Sequence, residues 1–160
     1  MKLSYNWIRE YLQTDIPPEE MARILTDIGL EVESAETFES IKGGLAGVVT
    51  GEVKSCRKHP NADKLSLTLV DTGQDRLLPI VCGAPNVAEG QKVVVALPGA
   101  KLYKGEESFE IKKTSIRGET SEGMICAEDE LGLGTDHSGI MVLDPDTRPG
   151  MAAREKLFAL

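Results

Sequence analysis

The residues best placed to do chemistry are cations gathered around one polar turn. Lys54, Arg57, Lys58 and Lys64 fall within eleven residues, with His59, Pro60, Asn61 and Asp63 among them. Ammonium and guanidinium groups at that density make a phosphate-facing edge if the chain presents them together, because each neutralised phosphate releases counterions. A hairpin flanked by solubilising lysines would carry the same pattern. A second group, Lys112, Lys113 and Arg117, comes just before Gly118, Ser121, Glu122, Gly123 and Met124. Arg117 is its strongest member, since a guanidinium binds phosphate bidentately and stacks on a base. Ser121 either donates to a ligand or caps its own turn, and Met124 and Cys126 are expected to face inward.

Catalytic chemistry finds no comparable set. There is no Gly-rich phosphate loop, no His-activated nucleophile, and no carboxylate pair that stands out among 26 Asp and Glu residues. Asp136 and His137 read as a surface turn before Gly139, with the orientation of a proton-transfer group as the other reading. Cys56, Cys82 and Cys126 are far apart, and an odd count cannot close a disulfide framework. Each sits in or beside an apolar run, so buried free thiols are expected. Neither His59 nor His137 has metal-ligand spacing with a cysteine pair, and no metal site is expected.

Charge sorts along the chain in a way that favours the same region. The net charge of −8 is the wrong sign for a phosphate-binding chain taken whole. Residues 1–40 hold 3 basic and 9 acidic groups, residues 41–118 hold 12 and 8, and residues 119–160 hold 3 and 9. The positive excess is confined to the middle and is modest, so phosphate binding has to come from local clustering. Aromatics are only 4% of the chain, which supplies a base-stacking platform poorly; Tyr103 and Phe109 accompany the cations. Binding by shape and phosphate contact fits that scarcity better than stacking. No apolar run approaches the ~20 residues that span a bilayer, and the start does not read as a signal peptide. The expectation is a cytoplasmic protein with no membrane partner.

The elements that must position these residues are legible from pattern. Residues 1–3 read as a short strand, and Ser4 as the cap of a helix to about Leu12. Pro17 and Pro18 start a second helix whose Met21, Ile24, Leu25 and Ile28 recur at the spacing of one apolar face, with Gly29 at its C-terminal left-handed position. Residues 30–36 alternate loosely like an edge strand, and Gly43 and Gly44 mark a linker. From Val48 onward short β-rich runs dominate, at 48–56, 65–71, 77–82, 92–97, 109–116 and 124–126, with turn residues between them. One helical turn is expected at 128–131, a strand at 140–143 and a short helix at 151–158. The spacing suits a small barrel or sandwich.

Three segments carry a resemblance. HPNADKLSLTLVD at 59–71, IVCGAPNV at 80–87 and SIRGETSEGMICAEDELG at 115–132 together resemble the tRNA-binding OB-fold module appended to several aminoacyl-tRNA synthetases and also found free-standing. The opening, MKLSYNWIREYLQTDIPPEEMARILTDIGLEVE, resembles the start of the beta subunit of bacterial phenylalanyl-tRNA synthetase. The resemblance implies an α+β chain: a small N-terminal α/β segment over 1–40, then a five-stranded OB-fold β-barrel over 41–160. It also implies a piece of a longer subunit, which the ending at Leu160 without a cap or tail fits. By motif match, His59, Asn61, Asp63 and Lys64 become RNA-proximal, with Asn61 and Asp63 shaping the loop. Gly83, Pro85 and Asn86 become a structural turn under the binding face. Ala127 stands where much of the family has a small hydroxyl residue.

What the resemblance implies about function is an auxiliary, non-catalytic role in tRNA binding. The parent attaches phenylalanine to its tRNA with ATP and magnesium as a heterotetramer of two alpha and two beta subunits, the chemistry residing with the alpha partner. No cofactor is expected in this chain. Its partners would be tRNA, the alpha subunit and the remaining beta-subunit domains. An assembly module docking by its acidic ends, or a free-standing tRNA-binding protein, are the alternatives.

Overall fold

The structure, a computed structural model, describes residues 1–158. The ending at Leu160 lies outside them. By internal contacts the chain divides into two compact units, Met1–Phe38 and Glu39–Leu160.

The first unit is two short helices. α1 (Tyr5–Tyr11) opens at Ser4, whose hydroxyl accepts the Trp7 N–H at 3.4 Å. α2 (Pro18–Asp27) begins with proline, whose missing N–H would be unpaired there in any residue. Its end closes with two turn bonds, Gly29 N–H to Thr26 O at 3.0 Å and Leu30 N–H to Leu25 O at 2.8 Å, which satisfy carbonyls the helix leaves over. The expected strands at 1–3 and 30–36 do not form. A strand needs a partner ladder, and the acid-rich second segment has none; its Val32 N–H bonds the Thr26 hydroxyl at 3.1 Å instead.

The second unit is built on β1 (Val48–His59), β2 (Ala62–Asp71), β3 (Leu78–Cys82) and β4 (Lys92–Ala96). After them come β5 (Lys101–Lys104), β6 (Glu107–Glu110), β7 (Thr114–Ile116), β8 (Glu119–Ser121), β9 (Met124–Ile125), β10 (Val142–Leu143) and α3 (Ala153–Leu157). The principal sheet runs β10-β4-β1-β2-β3, with β9 also on β4, all antiparallel. β3 then meets the β8–β9 segment through Glu122 N–H to Pro79 O at 2.7 Å and Val81 N–H to the Ser121 hydroxyl at 3.1 Å. That seam turns the sheet into a nearly closed five-strand antiparallel barrel of OB-like form, within an α+β chain. Closing the sheet hides edges that would otherwise pair with other chains.

β4 explains how one barrel supports two cores. Its side chains alternate, so Val93 and Val95 enter the barrel with Val53, Val70, Leu78, Ile80 and Ile125. Val94 and Ala96 face outward onto Leu45, Leu102, Ile111, Leu131 and Ala153, which cover that face. A strand buried on both sides reads as an unbroken apolar run, as KVVVA does. Each fully buried valine or isoleucine contributes roughly 1.5–3 kcal/mol over an exposed one. Thr50, fully buried on β1, ties the C-terminal segment to this core. Its hydroxyl donates to Arg148 O at 2.6 Å and accepts the Met151 N–H at 3.0 Å.

Three expectations need correction in this unit. The run at 109–116 is two strands in two separate hairpins, β5–β6 and β7–β8. Ile111 breaks it because the chain there folds back on residues 99–100: Ile111 N–H bonds Ala100 O at 2.8 Å and Gly99 N–H bonds Ile111 O at 2.7 Å. Ile111 is buried while Lys112 and Lys113 are both exposed, so strand alternation does not run through this stretch. Gly43 and Gly44 form a packed turn, held by Gly44 N–H to Ile41 O at 3.0 Å, rather than an open linker. A Cβ on Gly43 would lie 2.5 Å from the Tyr103 ring. Residues 128–131 make turns without a helix, closed by Leu131 N–H to Glu128 O at 3.3 Å.

Candidate nucleic-acid interface

β1 changes partners along its length, and that creates the presenting surface. Residues 48–52 pair with β4, whereas β1 and β2 stay paired from Glu52 to His59. The register slips between Val53 and Ser55, leaving Lys54 as the extra residue of a bulge, which bends the strand. Past the bulge the β1–β2 ribbon continues without β4 to a two-residue turn at Pro60 and Asn61.

The turn is not closed by Asn61 or Asp63 side chains. His59 closes it, its Nδ1 accepting the Asn61 N–H at 3.0 Å. The ring's other nitrogen, Nε2, lies 3.3 Å from Ile116 O on β7. Since Nδ1 accepts, the neutral ring carries its proton on Nε2 and donates it to that carbonyl. His59 is only 4% exposed. Expected as an RNA-proximal residue, it is an internal tie between two hairpins.

The cations divide by strand parity and by pairing. Arg57 and Lys58 are neighbours on β1 and so lie on opposite faces of the ribbon. Lys58 stands opposite Ser66, and the register breaks a second time between Lys58 and His59, so Lys64 lies in the irregular stretch that leads out of the turn. Arg57 stands opposite Leu67 on the other face. Arg117 occupies the tip of β7–β8, where it and Gly118 both take positive φ, 54° and 90°, between paired Ile116 and Glu119. That is the turn whose twist suits a two-residue hairpin, and it costs a non-glycine residue about 1 kcal/mol. Lys112 lines the rim of a shallow groove of about 590 Å³ that also includes Ile116, Cys82, Met124, Ile125 and Ala127. Lys58, Lys64, Lys112, Arg117 and Arg57 are exposed, and none forms an ion pair among the described residues.

Two expected cations are already neutralised. Lys54 bonds Glu52 at 3.0 Å, and Glu52 also receives Lys92 at 2.6 Å. The Lys92 bond first, then that of Lys54, holds the Glu52 carboxyl below its ordinary range. Lys113 bonds Glu122 at 2.8 Å, and Arg76 takes the other carboxylate oxygen. Arg76 and then Lys113 hold Glu122 down to about 2 against the cost of burial. Ser121 is buried, 2% exposed; its hydroxyl accepts Val81 N–H and donates to Gly123 O at 3.2 Å. It fastens the barrel seam and does not reach outward. Asn61 is exposed at the hairpin turn.

The structure adds residues the sequence did not single out as parts of this surface. Arg76 and Glu122 form the ionic staple; the sequence marked Glu122 only as a neighbour of Ser121, and Arg76, 46 residues away, gave no signal. Asn86, expected as a structural turn residue, bonds Ile140 twice: its Nδ2 donates to Ile140 O at 3.0 Å and its Oδ1 accepts the Ile140 N–H at 2.9 Å. It thereby pins the loop at 127–140, whose neck is closed by Met141 N–H to Cys126 O at 2.9 Å. Gly83 has no close-packing need, since an added Cβ would meet only Leu65, at 3.4 Å. Within that loop His137 is exposed and bonds Asp129 at 3.0 Å, which raises the imidazole pKa and lowers that of Asp129. The three cysteines are free, with burial pushing Cys126 up to about 12 and Cys82 upward. Among the described residues no three His, Cys, Asp or Glu side chains gather as metal ligands, and no helix is long and apolar enough to cross a membrane.

An OB-like barrel with free cations on two linked hairpin tips is the form of a nucleic-acid-binding module. Residues 48–152 match the family described as "Putative tRNA binding domain", and the chain belongs to that family. Over nearly its whole length the chain is also similar to proteins named phenylalanine–tRNA ligase beta subunit. It is 56% identical to that of Bacteroides thetaiotaomicron over 155 residues, covering 97% of this chain and 19% of the relative. The Porphyromonas gingivalis protein is 54% identical, with the same coverage. The Salinibacter ruber protein is 49% identical over 166 residues, covering 99% of this chain and 20% of the relative. The chain thus spans about one fifth of the length of the curated relatives it matches.

Proposed function

We propose that this chain is the auxiliary, non-catalytic tRNA-binding part of a phenylalanine–tRNA ligase beta subunit, and that it acts through the β1–β2 and β7–β8 tips. The observation that carries the reading is the match of the whole barrel, residues 48–152, to a tRNA-binding family. Unpaired Lys58, Lys64 and Arg117 on tips joined through His59 supply the phosphate-facing surface, with Lys112 beside them and Arg57 on the ribbon's reverse face. Asn61 sits between them at the turn; Lys54 and Lys113 are held back by carboxylates.

In this reading the helical first unit and the rest of a longer subunit assemble with an alpha subunit in the cytoplasm, as a heterotetramer of two alpha and two beta chains. ATP and magnesium serve the aminoacylation step there, outside this chain. Its own contribution is weak RNA affinity by shape and phosphate, with little base reading, because so few aromatics accompany the cations. Titration of the 160-residue chain with bulk tRNA by fluorescence anisotropy, at several salt concentrations and against duplex DNA, tests it. Binding to tRNA that weakens steeply with salt and exceeds binding to the duplex is expected. No tRNA binding at low salt would overturn the reading.

A further inference from the structure

Resting on that reading, we infer that His59 is a positioning residue which locks the two cation-bearing tips into one RNA-facing unit. Its buried ring spans the only hydrogen bond described between them. Nδ1 accepts the Asn61 N–H of its own turn at 3.0 Å, and the Nε2 proton is aimed at Ile116 O, 3.3 Å away and 57 residues along the chain.

The arrangement matters because the ends of the two tips extend past the strands that hold their bases. Beyond Ser66 the β1–β2 ribbon has no third strand beside it, and β7–β8 is a three-residue ladder whose turn holds Arg117 at positive φ. An isolated two-stranded hairpin is marginal in water. Ile116 is the residue immediately before Arg117, so the bond to its carbonyl fixes the cation's backbone root. On the other side His59 lies next to Lys58 and rigidifies the turn that leads to Lys64. Prepaid rigidity of this kind raises affinity by sparing the ordering cost at the moment of binding. The His59 ring touches no ligand in this role; its one N–H stays internal, and Lys58, Lys64 and Arg117 meet the phosphates.

Three variants of the full chain separate positioning from general stability. His59→Phe keeps the ring and loses both bonds. His59→Asn places an acceptor near the Nδ1 position and keeps only the bond within the turn. His59→Gln places an amide donor near the Nε2 position and keeps only the bond between tips. Two readouts are taken: amide hydrogen exchange at residues 115–119 without RNA, and the salt dependence of tRNA binding. The expected result is that Phe and Asn variants speed exchange at those amides by roughly tenfold, the loss of one hydrogen bond of about 1–1.5 kcal/mol. Their tRNA salt slope should also shrink by about one phosphate contact, to that of Arg117→Ala. His59→Gln should restore both, even where its melting temperature is lowered like the others.

Unchanged exchange at 115–119 in His59→Phe and His59→Asn would overturn the inter-tip lock, whatever RNA does. Faster exchange with an unchanged salt slope would overturn the RNA-facing role while leaving the proposed function standing. Failure of the unmodified chain to bind tRNA would instead refute the proposed function, and the positioning role with it, and is recognised without any variant.

Discussion

Replacing both Lys64 and Arg117 by alanine removes half of the four free cations that the tips and groove rim bring together. Lys58, Lys64, Lys112 and Arg117 carry no intramolecular partner among the described residues, whereas Lys54 and Lys113 do. At roughly 0.8 per neutralised phosphate, four contacts give a slope of log affinity against log salt of about −3.2. Between 50 and 200 mM salt, affinity should then fall roughly 80-fold for the unmodified chain and only about 9-fold for the double variant. The assay is anisotropy of labelled tRNA at matched temperature and pH. Lys54→Ala plus Lys113→Ala provides the contrast: the same loss of formal charge, with the slope nearly unchanged. If both pairs lowered the slope equally, net charge rather than the free, positioned cations would control binding, and the reasoning would be wrong.

Glu122→Gln should weaken folding most above pH 5. The folded carboxyl titrates near 2, below its ordinary value of 4.5, so its stabilisation is complete above that ordinary value and is lost as the pH falls toward 2. Urea unfolding across that range should show the gap between variant and parent closing in acid; a gap independent of pH would contradict the ion-pair account. The same variant frees Lys113 and Arg76 and should steepen the tRNA salt slope. Thr50→Val leaves the Arg148 carbonyl and the Met151 N–H without their buried partner, for a loss of about 1–3 kcal/mol in chemical denaturation. Asn86→Ala removes two bonds to Ile140 and should speed amide exchange in the 127–140 loop roughly 30-fold, about 2 kcal/mol, with the barrel strands unaffected.

Features set by local rules were legible in the sequence. α2 announced itself by Pro18, the Met21-Ile24-Leu25-Ile28 stripe and Gly29, and β4 by its unbroken apolar run. The β1–β2 hairpin was legible as two runs, 48–56 and 65–71, across a polar turn, but the strands continue to His59 and from Ala62, further than the polar residues there suggested. What escaped depends on partners distant in the chain. Nothing near Ile111 says that its N–H and C=O are taken by residues 99–100, so the strand through it looked continuous. The β5 strand was missed for a related reason: its ladder with β6 is mostly exposed and charged, with little apolar contrast. His59 looked like a surface residue by type and neighbours, and its burial follows from Ile116, 57 residues away. Lys54 and Lys113 looked as free as Lys64, because their acids are brought by folding or by a bulge. Sequence therefore located the cationic segments and left undecided which cations are available.

In the proposed function tRNA meets the two tips. Backbone amide shifts of the isotope-labelled 160-residue chain, followed during titration with tRNA at low salt, test it most directly. The largest changes are expected at residues 57–64 and 112–118, with the first unit's helices nearly silent. Changes concentrated in Met1–Phe38, or spread evenly over every exposed lysine, would contradict it.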